Sequence, residues 1–318
     1  MTLTRKIRPG RRIKSYSAVL LPFLTEDRID WEGFRTLVNR TYNAGLTPAV
    51  NMDTGFVNLL EEHQKAEVLG CVRELSQGRP FVAGAFIEGQ PGEALALYRA
   101  QIEAIQGHGG TPILFPCTQT KNMSPDQLVE LHRQVGAFCP SFFAFELGEM
   151  FVPFGRIFDL ETVSRLMQIP SLHGMKHSSL ERELEWERLA LKERERPEFM
   201  LFTGNDLAID MVMYGSDYLL GLSAFHPEAF ALRDRLWEKQ DPGFYALNDL
   251  LQYLGFLAFR PKVPGYKHNA AQFLKLRGLI ACPTTHPRGV VRPDSDTAIL
   301  ADILARLDQM VAHLSPRL

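Results

Sequence analysis

The chain has 318 residues, 45% of them hydrophobic and 23% charged, with a formal net charge of −2. That balance excludes bulk attraction to nucleic acid or to an anionic membrane, and no run of about 18 apolar residues reads as a membrane span. The four cysteines, Cys71, Cys117, Cys139 and Cys282, form no CxxC pair and read as reduced thiols; with no apolar leader, a cytoplasmic protein is expected.

Residues 1–14 read as a basic N-terminal extension, with Lys or Arg at six of the ten positions 5–14, most simply a solvated arm. From residue 15 a short apolar strand, a polar loop and an amphipathic helix alternate, the signature of βα units on a parallel sheet. Strands are expected at 17–23, 48–53, 81–86, 112–115, 141–146, 172–176, 199–203 and 218–223. Helices are expected between them at 31–44, 61–77, 91–106, 124–138, 159–168, 180–194 and 206–214. Asp30 is placed to cap the first helix, and Ser124 with Pro125 opens the one after the fourth strand. From 227 the text is almost wholly helical, at 228–239, 243–259, 269–277 and 296–314. Eight strands over 15–226 followed by helices over 227–318 predict a (β/α)8 TIM barrel with a C-terminal helical extension packed on it. No GxGxxG or Walker A sequence supports a doubly wound nucleotide fold.

In such a barrel the chemistry lies at the C-terminal ends of the strands. Those ends carry Asp53, Thr54 and Gly55 after strand two, and Cys117 and Thr118 after strand four. They carry Glu146 and Glu149 after strand five and Lys176 on strand six. Gly204 to Asp206 follow strand seven, and Ser223 to His226 follow strand eight. Lys176 is the outlier, because an ammonium in a barrel strand is costly unless it is paired or loses its charge. Desolvation favours the neutral amine, a nucleophile toward ketones. The plainer reading makes it a strand-end lysine that reaches solvent or pairs with Glu146. His177, its neighbour, belongs on the opposite face of an extended strand, and His226 lies on the loop after strand eight. His108, His132 and His286 have no partner spacing, no HExxH or His/Asp/Cys cluster argues for a metal, and no GxSxG elbow is present.

Several landmarks in order resemble the dihydrodipicolinate synthase / N-acetylneuraminate lyase family, over residues 15 to 285. They are Asp53-Thr54-Gly55 with the downstream LLEEH, Leu114-Phe115-Pro116, and His173-Gly174-Met175-Lys176-His177-Ser178. Phe202-Thr203-Gly204-Asn205-Asp206 and the run GSDYLLGLS at 215–223 complete the set. The resemblance implies a class I aldolase or dehydratase acting on pyruvate or a 2-keto acid, with no cofactor and no metal, usually assembled as a homo-tetramer or homo-dimer. Lys176 takes the place of the Schiff-base lysine. Thr54 and Gly55 take the places that hold the substrate carboxylate, with Asp53, Gly204, Leu220 and Ser223 around them. Tyr266-Lys267-His268 matches a segment that packs the C-terminal helices, which makes Lys267 structural.

The sequence departs from that family in three places. Asp53 stands where a threonine is common, which puts a negative charge beside the carboxylate site. The tyrosine that follows strand four is missing, with Cys117 or Thr118 in its place, and Thr118 is expected to contact the substrate there as a catalytic residue, though it is a poor acid–base relay. Strand five ends in Glu146 rather than Tyr-Asn, so Glu146 or Glu149 is expected to shuttle protons. These departures argue against dihydrodipicolinate synthesis itself. They also open two rivals: a barrel that binds a small molecule without turnover, and a metal-dependent enzyme using Asp53, Glu146 and Glu149.

Overall fold

The computed structural model describes residues 6–25 and 27–317. Eight parallel strands close into a barrel in chain order. They are β1 (Ser15–Ala18), β2 (Thr47–Val50), β3 (Val82–Ala85), β4 (Thr111–Leu114), β5 (Phe142–Leu147), β6 (Leu172–Ser178), β7 (Met200–Thr203) and β8 (Asp217–Leu220). The barrel closes where Ser15, Tyr16 and Ser17 pair with Tyr218, Leu219 and Leu220. The lumen is packed: Tyr16 of β1 lies 4.9 Å from Phe202 of β7, which lies 5.1 Å from Phe143 of β5, ring centre to ring centre. These edge-to-face contacts cross the barrel and seal its middle. Any open volume is therefore left at the strand ends.

Helices α1 (Trp31–Asn43), α2 (Glu62–Ser76) and α3 (Ala94–Gly107) follow the first three strands. Asp30 caps α1, its Oδ1 accepting from Gly33 N at 2.8 Å. A short α4 (Thr118–Asn122) precedes α5 (Pro125–Phe138), which Ser124 and Gln127 open with a reciprocal capping box. α6 (Leu160–Met167) and α7 (Arg182–Glu195) follow β5 and β6. After β7 a full helix was expected over 206–214. A 3-10 turn, Ile209–Tyr214, is found instead, ended by Gly215 at φ 119°. A 3-10 turn rises faster per residue than an α-helix, which suits a link this short. α8 (Pro227–Glu238) lies against α1 and is tied to it by the Arg40–Glu228 ion pair.

α9 (Gly243–Ala258), α10 (Tyr266–Leu276) and α11 (Asp296–Leu314) form the C-terminal layer. Arg292 fastens the bend between α9 and α10. Its guanidinium donates to the carbonyls of Ala258, Arg260, Pro261 and Lys262 at 2.8–3.1 Å. Gly265 leaves room for it: a Cβ there would stand 2.5 Å from Arg292 Nε. This bend carries the first residue of α10 to the mouth of the barrel.

The basic N-terminal segment is not a free arm. Arg8 N donates to Met213 O at 2.7 Å, Arg11 pairs with Asp217 at 2.7 Å, and Trp237 Nε1 donates to Arg8 O at 3.0 Å. The segment is pinned to the end of the barrel remote from the C-terminal strand ends through Arg8 and Arg11, while Lys6, Arg12 and Lys14 stay exposed. Arg5 lies outside the described residues. Among the described residues no helix is long and apolar enough to cross a membrane, and all four cysteines are free.

Candidate active site

A cavity opens at the C-terminal ends of the strands, with Lys176, Asp206, Asp53, Thr54, Tyr266 and Ser178 on its polar side. Strand geometry sets which residues reach it. In β5 and β6 Phe145 pairs with Lys176, and Glu146 pairs with His177. Successive side chains alternate faces, so Phe145 and Lys176 point into the barrel while Glu146 and His177 point out toward the helices.

Lys176 Nζ stands 4.5 Å from the centre of the Phe145 ring. Among the described residues it forms no ion pair. Burial pulls its ammonium down to about 8, and the charges of Asp206 and Asp53 keep it from falling further. Gly204 makes the space it occupies: a Cβ there would lie 2.6 Å from Lys176 Cε and 2.0 Å from Ser178 Oγ.

The chain turns sharply after β2. Asn51 and Phe56 adopt left-handed φ of 49° and 59°, on either side of the 3-10 turn Asp53–Gly55. Asp53 is 44% accessible although it lies deep in the fold, because it faces the cavity. Its carboxylate is held from behind by α10. Lys267 Nζ donates to Oδ1 at 2.9 Å and to the Asp53 carbonyl at 3.2 Å. Tyr266 donates its hydroxyl proton to Oδ2 at 2.9 Å. Burial raises the Asp53 carboxyl, but Lys267 and the two hydrogen bonds outweigh it and hold the group below its ordinary range. The negative charge noted in the sequence is thus already neutralised. Tyr266 also lies 2.8 Å from Thr54 Oγ1. Because Asp53 takes the Tyr266 proton, Thr54 is the donor in that second bond.

A tyrosine hydroxyl therefore does enter the site, from α10 rather than from the end of β4. Burial, and then Asp53, push its proton loss well above the usual value for a phenol. Gly221 clears space for it, since a Cβ there would stand 3.0 Å from the Tyr266 ring and 3.1 Å from Thr54 Oγ1. Phe259 stacks on the ring at 4.3 Å. Asp206, also missed as a site residue, is 8% exposed, and its Oδ1 accepts from Leu222 N at 2.7 Å. Burial raises its carboxyl to about 7, against the opposing pull of that bond and of Lys176. Its signals in the sequence were its place in the turn after strand seven and in the run Phe202-Thr203-Gly204-Asn205-Asp206.

Other expected residues do not converge on the cavity. Glu146 is wholly buried between β5 and α7, where it accepts from His177 Nδ1 at 2.8 Å, Phe158 N at 2.9 Å and Arg188 Nη2 at 2.9 Å, and from Arg188 Nε. Every lone pair is taken, so it shuttles no proton at the lysine. Ser179 lies 2.6 Å from His177 Nε2, which completes a Ser-His-Glu row. That row is 0–1% exposed and Ser179 is bonded to Glu181, so it braces the strand and meets no substrate. Thr118 is exposed at the start of α4 and bound twice to Glu88 at 2.7 Å. Glu149 pairs with Lys121. Asp53, Glu146 and Glu149 therefore share no centre, and the described residues hold no group of three or more metal-ligating side chains. Leu220 and Ser223 pack behind the cavity, with Ser223 Oγ donating to Ser17 Oγ at 2.8 Å. Gly55 N is used by Met52 O at 2.9 Å, so Thr54 is the part of that turn left to face a ligand.

The other histidines singled out in the sequence do not line the cavity. His226 caps α8 through Ala229 N, His132 lies over Phe142, and His286 packs on Phe23 and Phe56. His108 bonds the Ala104 carbonyl one turn back on α3.

No family model matches the chain, and no curated protein matches it. Solved structures do. Dihydrodipicolinate synthase from Thermotoga maritima superposes with a TM-score of 0.79 at 15% identity, over 94% of this chain and 99% of that one. A prophage protein of the dihydrodipicolinic acid synthase family from E. coli K12, in complex with pyruvate, gives 0.78 at 15% identity over 93% and 98%. N-acetylneuraminate lyase from Mycoplasma synoviae gives 0.73 at 13% identity over 93% and 98%. At such identities the likeness is one of fold: this chain is built on the same (β/α)8 barrel as the dihydrodipicolinate synthases and N-acetylneuraminate lyases, with its sequence far diverged from theirs.

Proposed function

We propose that the protein is a Schiff-base-forming lyase, an aldolase or a dehydratase, acting on pyruvate or a related 2-keto acid. One observation carries the reading. Lys176 projects into the cavity at the C-terminal end of the barrel with no anion paired to it, over an aromatic ring, in surroundings that favour the neutral amine. Two solved structures of like fold hold pyruvate.

The neutral amine adds to the C2 ketone, and the carbinolamine loses water to leave an iminium on Nζ. That cation draws the electrons of the adjacent C–C or C–H bond, so the bond beside it cleaves or a carbanion equivalent forms. Thr54 seats the substrate carboxylate by turning its hydroxyl proton from Tyr266 to the ligand. The Tyr266 hydroxyl, bridging Thr54 and Asp53, and the Asp206 carboxyl are the proton-handling groups on the cavity wall. Hydrolysis of the iminium frees the lysine.

Borohydride reduction in the presence of pyruvate tests this. Intact mass is expected to gain the reduced adduct, and Lys176→Ala is expected to lose it entirely. No adduct with pyruvate or longer 2-keto acids, or an adduct that survives Lys176→Ala, sinks the proposal. Saturable binding without an adduct, equally strong in Lys176→Ala, would favour a binding protein instead.

A further inference from the structure

The apolar side of the cavity is built as precisely as the polar side. Four phenylalanines form a continuous row that starts at the amine. Lys176 Nζ lies 4.5 Å from the Phe145 ring, and Phe145 lies 4.9 Å from Phe115 at 78°. Phe115 lies 5.6 Å from Phe86 at 74°, and Phe86 lies 6.1 Å from Phe154 at 67°. Each pair is edge-to-face, so every ring is held by its neighbours. Phe154 comes from the segment after β5, and that segment is braced. Arg156 Nη1 donates to the carbonyls of Thr120, Lys121 and Met123 at 2.6–3.3 Å, and Lys121 Nζ donates to Pro153 O at 2.6 Å. Among the described lining residues Lys176 is the sole cation, and its charge, carried on by the iminium, stays at the near end of the row with the 2-keto acid. A second carboxylate, a phosphate or a sugar chain laid along this wall finds no unpaired lining cation, since Lys65, 5.3 Å from the Phe86 ring, is paired with Glu62, and it buries its polar groups against rings.

We infer that the carbonyl partner joined to, or released from, the 2-keto acid at this site is an aryl aldehyde, its ring lying along the row from Phe145 to Phe154. The inference rests on the Schiff-base reading of Lys176 and names the substrate class of that same site. In the forward direction the iminium of pyruvate loses a C3 proton to give an enamine. C3 bonds to the aldehyde carbon, and the aldehyde oxygen takes up a proton. Water then releases the 4-aryl-4-hydroxy-2-oxobutanoate and the free lysine. In the reverse direction the same C3–C4 bond breaks to give the aldehyde and pyruvate. Neither direction needs an oxidant or a reductant.

The test uses the full chain with pyruvate and one of three aldehydes: benzaldehyde, glyceraldehyde or succinic semialdehyde. Product is followed by liquid chromatography and mass spectrometry, with borohydride trapping of pyruvate run in parallel. The kcat/KM for benzaldehyde is expected to exceed both others by about tenfold or more, the range a filled apolar pocket supplies. Phe154→Ala, at a half-buried ring on a braced segment, is expected to raise KM for benzaldehyde about tenfold and to narrow that preference. Cinnamate is expected to protect Lys176 from trapping, and propionate is not. Pyruvate trapped but glyceraldehyde or succinic semialdehyde used as well as benzaldehyde overturns the inference alone, as does trapping with benzaldehyde refused. No trapping at all overturns the Schiff-base reading, and this inference with it.

Discussion

The state of Lys176 is set by three neighbours: a ring beneath it, a glycine beside it and carboxylates held at a distance. Each has a measurable consequence. Because its ammonium gives up its proton near pH 8, the rate of trappable adduct formation should climb as pH rises through about 8 and level off above it. An ordinary lysine would still be climbing near pH 10. Stopped-time trapping across pH 6–10 reads this directly. Gly204→Ala drives a methyl to within 2.6 Å of Lys176 Cε and 2.0 Å of Ser178 Oγ. It should lower stability by about 1–3 kcal/mol, seen in urea melts, and slow trapping through the displaced amine. Tyr266→Phe removes one oxygen from the chain that links Asp53 to Thr54. Adduct formation should persist while turnover falls about 10²-fold, the usual loss for a general acid–base group.

At the scale of elements, β5, β6 and α7 are joined by a single buried charge cluster. Arg188 of α7 pairs with Glu146 of β5, which also holds His177 of β6. Arg188→Leu strands a buried carboxylate and should cost about 3–5 kcal/mol, read as a lowered urea midpoint or loss of soluble protein. The same cluster makes the fold acid-sensitive. Burial raises the Glu146 carboxyl, but His177 and Arg188 outweigh it and hold it down at about 2. A carboxylate depressed in the folded state contributes stability above its unfolded pKa, near 4.3, and loses it as pH falls toward 2. Glu146→Gln should therefore be less stable at neutral pH and should lose less stability than the parent chain between about pH 4.5 and 2. The cluster also explains why β6 presents Lys176 to the lumen: with His177 tied outward, the next residue back has to point in.

Across the whole molecule, the barrel does not complete its own site. Tyr266 and Lys267 reach Asp53 from 213 and 214 residues away along the chain. Removing residues from 243 onward would strip both, leave Asp53 unpaired, and bare the face that Leu247, Leu251, Leu254 and Phe273 now cover. Such a truncation should aggregate or melt without cooperativity in calorimetry, whereas Arg292→Met, which only loosens the α9–α10 bend, should stay folded and trap pyruvate more slowly. The alternating apolar strands and capped helices made the barrel legible in the chain, because local periodicity and turn chemistry are properties of neighbouring residues. Lys176 was legible for a related reason, as a charge in an apolar strand. The direction of Glu146 was not. Every residue of β5 is buried, so the run FFAFEL shows no alternation from which to tell lumen from outer layer. Nor was the partner of Asp53, because an ion pair spanning 214 residues is decided by how the C-terminal layer docks. The chain alone made legible the eight-stranded barrel with its helical C-terminal layer and the lysine at its mouth, but not the 3-10 turn that replaces a helix after β7. Only the tertiary structure decided which carboxylate is neutralised, which tyrosine enters the cavity and which aromatic rings line it, because those depend on side chains that meet through the closure of the barrel and the packing of α10 against it.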